Sequence, residues 1–425
     1  MIEKALRLGA SEVEIFEINA RMHNVYIDNG DPKIATSNSW KGTGIKCIRN
    51  GHIGFSGGSS PEETLKRSIH LMKIAPKDEN FHSLPSPKSV SGEVDGAYNP
   101  DLLNEDLVEM GAKIARAAQP VSIMYGLIRA IEYHTHIMNS LGVDGEHRGT
   151  ILFIHLNAKR GSGEGIVKWY SAGSYSLDVL ESLGTNLRER TNRTVLARPF
   201  SGKKGVSALI MPGELGGLLS ALFFAINGEQ VNRKRSLWSE MLGEQVASSE
   251  ITLIDDGRLP GGLRSGTMDD EGVPTSRKVI IDHGKLKSFV YDSYNGGIAA
   301  QPSTGNGWRR GVRSVEQAHL RQASCAMSNP VILPISGSES VEDLEGEGDV
   351  VVYKTADPSA DPFSGSFALE LRDATYHGEP IKRALLCGNL FENIKNVKIS
   401  TEVEHVENAV LPAILFSGLT LVGIK

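Results

Sequence analysis

GVSALIMPGELGGLLSALFFAING, residues 205–228, decides how the rest of the chain is read. Val206 to Met211 is a short apolar run, long enough for one buried strand and too short for a helix. Pro212 and Gly213 break it. From Glu214, the apolar residues Leu215, Leu218, Leu219, Leu222, Phe223 and Ile226 recur at three- and four-residue steps, the period of one buried helix face. The spacing predicts a helix ending at Asn227-Gly228. Beyond it lie Asp255-Asp256, then Asp269-Asp270-Glu271, then Ser303-Thr304-Gly305-Asn306-Gly307 with Trp308, Arg309 and Arg310. A strand-to-helix junction facing two polar loops is where a site is expected.

Working outward, strands are expected at Ile251 to Ile254 and in a hairpin of Val279 to Asp282 with Lys285 to Tyr291 through His283-Gly284. Ser338 to Asp349 reads as an acidic exposed connection. Phe367 to Tyr376 should pair with Ile381 to Leu386 across His377-Gly378-Glu379, and Ala413 to Phe416 and Leu419 to Val422 close the chain as strands. This region, 201–425, reads as a mostly antiparallel α+β domain.

The chain before it divides into a unit at 1–80, a Pro/Ser/Gly-rich linker at 81–100 and a second unit at 101–200. In the first, Met1 to Leu8 is helical. Strands follow at Glu12 to Ile18, Arg21 to Asp28, Lys33 to Ser39, Thr43 to Arg49 and His52 to Phe55. Asn29-Gly30 and Asn50-Gly51 supply the positive φ of tight hairpins. Ser60-Pro61-Glu62-Glu63 starts a helix that runs to Ala75. The second unit repeats the order: a helix over Leu102 to Ala118, strands at Ser122 to Ile131, Thr135 to Asn139, Thr150 to Ala158 and Gly165 to Tyr170, and a helix over Leu177 to Glu189. The fold class is therefore α+β, two helix–antiparallel meander–helix units followed by a larger, mostly antiparallel α+β domain.

Composition narrows the function. With 425 residues, 40% hydrophobic and 23% charged, the chain has material for two or three ordinary globular domains. Its net charge of −6 offers no general attraction for a polyanion, so direct nucleic-acid binding is not expected. Cys47, Cys325 and Cys387 are far apart and outside any CxxC spacing, which argues for a reducing compartment and against structural zinc. No basic start precedes an apolar run, and the apolar stretches Gly216 to Ile226 and Ala409 to Ile424 are too short or broken to span a membrane. A cytoplasmic protein with no membrane contact is expected.

Several ordered signals carry a resemblance. Gly42-Thr43-Gly44-Ile45, Asn139-Ser140-Leu141-Gly142-Val143, Gly243-Glu244-Gln245-Val246, Leu259-Pro260-Gly261-Gly262, Asp269-Asp270-Glu271-Gly272-Val273-Pro274-Thr275, Ser303-Thr304-Gly305-Asn306, Asp361-Pro362-Phe363-Ser364-Gly365 and Gly388-Asn389-Leu390 stand in the order and spacing of the TldD/PmbA family. The resemblance implies a cytosolic metalloprotease complex that trims peptides, from a family also named for modulation of DNA gyrase. Its zinc-bearing TldD half has a His-Glu-x-x-x-His helix and a distant cysteine; zinc needs such deprotonated ligands and one open position. Aligned on Glu214, the two histidine places hold Gly213 and Leu218, and Ser400 to Glu407 offers no cysteine. The chain thus resembles the metal-free PmbA (TldE) half, with no cofactor of its own, zinc expected in a TldD-like partner, and a heterodimer or homodimer as the assembly.

No catalytic residue is assigned. Glu214 is the candidate, either as a first-turn carboxylate favoured by the helix dipole or as a vestige of the general base. Asp269, Asp270 and Glu271 read first as turn chemistry and second as a group that meets arginine or a cation. Ser303, Thr304, Gly305 and Asn306, with Arg309, could grip a peptide main chain or carboxylate. The segment Trp308, Arg309, Arg310, Arg313 and Arg321 reads as a solvated or carboxylate-paired surface, with anion or peptide-terminus recognition as the alternative. His134 and His136 share a strand face, His319, His377 and His405 are isolated, and Cys387 reads as a small buried hydrophobe. Gly161 to Gly165 lacks the Lys-Ser/Thr of a P-loop and reads as a hairpin turn. Two other functions remain open at this stage: a self-sufficient homodimeric peptidase, and a non-enzymatic protein that binds gyrase.

Overall fold

The structure, a computed structural model, describes residues 1–90, 92–312 and 314–424, apart from the side chain of Ile34. Arg313 of the basic segment lies outside them. Two meanders form one six-stranded antiparallel sheet: β1 (Glu12–Asp28), β2 (Asp31–Arg49) and β3 (His52–Gly58), then β4 (Ser122–Asn139), β5 (Asp144–Arg160) and β6 (Gly163–Ser171). Helices α1 (Ile2–Arg7) and α2 (Pro61–Ile74) bracket the first meander, and α3 (Leu107–Ala118) and α4 (Leu177–Leu196) the second. The order β3-β2-β1-β4-β5-β6 joins the meanders through their first strands, in register from Glu14 opposite Asn139 to Asp28 opposite Tyr125.

The hairpins turn where positive φ is available: Asn29 has φ 51° and Gly30 86°. Breaks expected inside the first two strands and inside β4 are absent. Asn19-Ala20, Trp40-Lys41-Gly42 and Glu132-Tyr133-His134 contain no residue that demands a turn, so β1, β2 and β4 run through as 17, 19 and 18 residues. Gly161 and Ser162 form the β5–β6 turn.

Alternation gives the sheet two working faces. One buries Phe16, Ile18, Ala20, Met22 and Tyr133 against Leu263, Met268, Val312 and Val315 of the C-terminal region. The other carries helices at both ends: Val13 and Ile15 pack with Leu65 and Ile69 of α2, and Val25 and Ile27 with Met110 and Ile114 of α3.

The C-terminal region begins with β7 (Arg198–Pro199) and β8 (Lys203–Ile210), followed by α5 (Pro212–Leu218), α6 (Ser220–Ala225) and α7 (Gly228–Asn232). Next come β9 (Leu253–Asp256), β10 (Arg277–Asp282), β11 (Lys285–Leu286), α8 (Ser293–Ile298), β12 (Gly307–Trp308), β13 (Ser324–Cys325) and β14 (Pro330–Ile332). The chain ends with α9 (Val341–Glu347), β15 (Val350–Thr355), β16 (Ser366–Tyr376), β17 (Glu379–Lys382), β18 (Ala384–Asn389), α10 (Leu390–Asn393), β19 (Val397–Val406) and β20 (Ala409–Gly423). In the resulting sheet, β8 lies between β20 and β15, so the chain leaves for α5 from the sheet's interior.

Four expectations here need correction. The helix expected over 214–226 is two short ones, α5 and α6, with α7 following from Gly228. Gly216-Gly217 weakens helix propagation, and Gly217 is drawn so close to Pro358 that a Cβ there would lie 2.5 Å from its carbonyl oxygen. The apolar face is nonetheless buried: Leu215, Leu218, Leu219, Leu222 and Ile226 are at most 1% exposed, each worth about 2 kcal/mol of burial. Ser338 to Asp349 is not a bare connection. Ser340 caps α9 by accepting from the Asp343 amide at 3.1 Å, an Ser-x-x-Asp signal hidden within an acidic composition. The strand expected to continue to Tyr291 stops at Leu286, while the last two expected strands are one, β20. Among the described residues no helix is long and apolar enough to cross a membrane.

Candidate functional site

Helix α5 opens with Pro212 at its first turn and places Glu214 in the same turn, where the backbone dipole favours a carboxylate. The residue is 2% exposed. Its Oε1 accepts from the Lys354 Nζ at 2.6 Å, and its Oε2 accepts from the Thr355 amide at 2.8 Å and the Thr355 hydroxyl at 2.6 Å. Both partners stand on β15, which pairs with the strand feeding α5. An ammonium thus neutralises the carboxylate, and three donors satisfy it. At the neighbouring positions Gly213 has no side chain and Leu218 is fully buried.

That donor set does not suit a divalent metal. Zinc requires three deprotonated ligands converging on an open position; here the glutamate is held by a cation, and its helix neighbours carry no donor atoms. Among the described residues no group of three or more His, Cys, Asp or Glu is placed to hold a metal ion. His134 and His136 face carboxylates instead, Glu146 at 3.2 Å and Asp144 at 2.6 Å.

The acidic and Gly/Asn-rich loops come together as one buried network. Asp269 closes its own turn, accepting from the amides of Glu271 at 3.0 Å and Val273 at 2.9 Å, and reaches across to the Gly307 amide at 2.8 Å. Asp270 accepts from the amides of Arg309 at 2.8 Å and Arg310 at 3.1 Å, and its Oδ1 lies 2.8 Å from the Arg310 Nε. Glu271 accepts from the Ser293 amide at 2.7 Å. Asn306 donates to Asp255 at 2.7 Å and to the Ala326 carbonyl at 2.9 Å, while Thr304 donates to the Asn306 Oδ1 at 2.7 Å. Ser303 and Thr304 hydroxyls also hold the Tyr291 carbonyl. Gly305 sits at φ 72° with a would-be Cβ 2.4 Å from the Pro274 carbonyl, so only glycine fits this crossing.

The two arginines are carboxylate-paired, one of the expected readings, but they are buried and not at the surface. Arg309 is 3% and Arg310 4% exposed. Arg309 meets Glu14 of β1, which Lys46 of β2 also approaches at 3.2 Å, and Arg310 donates to the Tyr133 hydroxyl of β4 at 3.1 Å. Loop and sheet are therefore joined by charge as well as by apolar packing. The basic character of 308–310 faces inward because the sheet brings Glu14 there, 295 residues away in sequence.

Electrostatics separates these carboxylates. Burial alone would raise the Glu14 carboxyl, but Lys46 and Arg309 outweigh it and hold it below the ordinary range. Burial and then the neighbouring Glu271 push Asp269 well above its usual value. Burial, followed by the charge of Asp292, pushes Glu271 up to about 7. Asp292, itself raised by burial, is held by the Asn295 amide at 2.7 Å.

Of the expected site residues, the structure brings together Asp269, Asp270, Glu271, Ser303, Thr304, Gly305, Asn306 and Arg309; the hydrogen bonds of Glu214 go elsewhere, to β15. Sequence reading missed Lys354, Thr355, Glu14 and Lys46, whose roles arise only from long-range pairing. Cys387, expected to be buried, is partly exposed on β18, whereas Cys47 and Cys325 are buried.

Sequence models of the three PmbA/TldA metallopeptidase domains match the chain: domain 1 over residues 13–75, the central domain over 96–195 and the C-terminal domain over 203–423. The crystal structure of TldE from Thermococcus kodakarensis superposes with a TM-score of 0.87 at 25% identity, covering 99% of each chain. An uncharacterized protein of Methanocaldococcus jannaschii is 24% identical over 433 residues, covering 98% of this chain and 99% of its own. Metalloprotease PmbA of Escherichia coli O157:H7 is 28% identical over 250 residues, 58% of this chain and 52% of that protein.

Proposed function

The chain belongs to the PmbA/TldD metallopeptidase family, and from that premise we propose that it is a metal-free TldE/PmbA-like subunit that pairs with a zinc-bearing, TldD-like protein to process peptides in the cytosol. The observation that carries this reading is the state of Glu214. The residue aligned with the family's general base is neutralised by Lys354 and bonded by Thr355, with glycine and leucine at the flanking ligand positions. A carboxylate paired with an ammonium and bonded to three donors is poorly disposed to take a proton from water, and the glycine and leucine beside it supply no metal ligand.

In this role the chain contributes shape and contacts, and the partner the hydrolytic centre. Asp269, Asp270, Glu271, Asn306 and Arg309 act as the frame that fixes the C-terminal region against the sheet. Ser303 and Thr304, half-buried at the rim of that frame, are the residues of the loop best exposed to a peptide.

The test is reconstitution. Purified chain is mixed with the TldD-like protein of the same genome, and complex formation is followed by size-exclusion chromatography beside cleavage of an unstructured peptide pool. We expect a stable complex and a rate well above either protein alone, with stoichiometric zinc only in the partner. Zinc bound by the isolated chain together with cleavage lost in Glu214→Gln would overturn the reading, as would the absence of both complex and rate change.

A further inference from the structure

The helix-bearing face of the six-stranded sheet is covered at both ends and open between. α2 covers the end near Val13 and Ile15, and α3 the end near Val25 and Ile27. The strand residues between them floor a trough of about 420 Å³, within the range of ligand sites. Residues directly opposite one another across an antiparallel pair share a face. The register therefore places Lys41, Asn19, His134 and Arg148 in one row across β2, β1, β4 and β5, and Ser39, Arg21, Glu132 and Thr150 in the next. Trp40, Ala20 and Tyr133, between those rows, point to the opposite face and lend only backbone to the floor.

The charges in this trough are unequally committed. Glu132 is bonded by Arg21 and accepts from the Tyr98 hydroxyl at 2.8 Å. Burial would raise its carboxyl, but these two bonds hold it low, so it stays ionised and occupied. His134 faces Glu146 at 3.2 Å, and Glu17 lies one row further on. Lys41 and Arg148, at the two ends of their row, are exposed, and among the described residues neither forms an ion pair; Arg148 acts on Glu132 and Tyr98 only at longer range. Three full positive charges, Arg21, Lys41 and Arg148, thus line the trough against one carboxylate that is already taken. Three inter-strand steps separate Lys41 from Arg148, about 14 Å at the backbone, close to four residues of extended peptide.

We propose that this trough binds the carboxylates of an acidic peptide, with Lys41 and Arg148 as its two anchoring cations. The proposal rests on the peptide-processing reading and assigns to it a substrate class, peptides rich in aspartate and glutamate or ending in a carboxylate held here. Because Lys41 and Arg148 sit on rigid strands and form no ion pair among the described residues, a carboxylate that meets them displaces water and not another carboxylate.

Isothermal titration of the full chain, without partner and without cleavage, tests it. The probe is a hexapeptide of alternating alanine and glutamate, whose acidic groups fall on one side when extended. It is used with a free or an amidated C-terminus, beside the same pair with glutamine in place of glutamate. We expect the acidic peptides to bind at least about tenfold more tightly than the amidated glutamine peptide, with affinity falling as salt rises. If the free-acid glutamine peptide binds as tightly as the acidic ones while its amide does not, the terminal carboxylate is the ligand; if only the glutamate peptides bind, the side chains are. The paired change Lys41→Glu with Arg148→Glu, both at exposed positions, should abolish this preference without changing the circular dichroism or the melting temperature. Equal binding of the amidated glutamine peptide, no heat at millimolar peptide, or unchanged affinity in the paired variant would overturn the proposal. Loss of binding here leaves complex formation and cleavage with the partner as a separate result, so the two readings fail independently.

Discussion

Glu214 and Glu271 are both buried glutamates of the C-terminal region, 2% and 5% exposed, and their surroundings treat them in opposite ways. Glu214 is met by an ammonium, an amide and a hydroxyl. Glu271 accepts from one amide and faces Asp292 and Glu14, with Lys46 as the compensating cation. The difference teaches that burial alone does not decide what a carboxylate does. A cation brought to within hydrogen-bond distance turns one into a structural rivet; without it the other is left to titrate near neutrality.

The sharpest way to break the comparison is Lys354→Met, which removes the cation while keeping its volume. Glu214 is then buried unpaired, and a loss of about 3–5 kcal/mol in unfolding free energy is expected by urea titration. Adding Glu214→Gln to that variant should restore most of it; a loss below about 1 kcal/mol would mean the pair contributes little.

Glu271 gives the next largest effect, with the opposite sign. Its folded pKa of about 7 lies above the ordinary glutamate value of 4.5, so the folded state holds the proton more tightly. Its contribution is fully present below about pH 4.5 and is lost as pH rises through about 7, a total of roughly 3 kcal/mol. Asp269, also raised, adds to this slope, while the depressed Glu14 opposes it below the carboxylate range. Glu271→Gln should therefore be at least as stable as the parent at pH 8 and should flatten the decline between pH 5 and 7. Unfolding curves across that window decide it, and a parent whose stability rises over the same range would refute the assignment.

The smallest effect belongs to His136→Ala, where a half-buried imidazole faces the exposed Asp144 carboxylate at 2.6 Å. A change within about 0.5 kcal/mol is expected, because solvent screens such a pair. A much larger loss would show that surface pairs on this sheet are stronger than the buried-versus-exposed contrast allows.

Legibility in the sequence followed the range of the interaction. Asn29-Gly30, Asn50-Gly51, His283-Gly284 and His377-Gly378 mark turns because few residues accept positive φ, and the structure turns at each. The buried face of 215–226 was readable from its period, but its division into short helices was not, since the approach of Pro358 to Gly217 is a tertiary event. The acidic loop and the Ser303 to Arg309 loop were recognisable as a unit by order. Their closing on each other was open in the sequence as the second reading of the acidic loop, a group that meets arginine. That Arg309 would be buried against Glu14 could not be read from local chemistry, which favours a solvated arginine.

By itself the sequence determined the α+β class, the repeated helix–meander–helix order, the family, and the glycine and leucine that stand at 213 and 218 around Glu214, because each of these is written in local runs of residues. Only the tertiary structure decided that the two meanders fuse through β1 and β4, that Lys354 neutralises Glu214 from 140 residues away, and that Lys41 and Arg148 share one row. Strand register sets those meetings. Register is a property of pairing between distant segments, and no local pattern encodes which residue will stand opposite which.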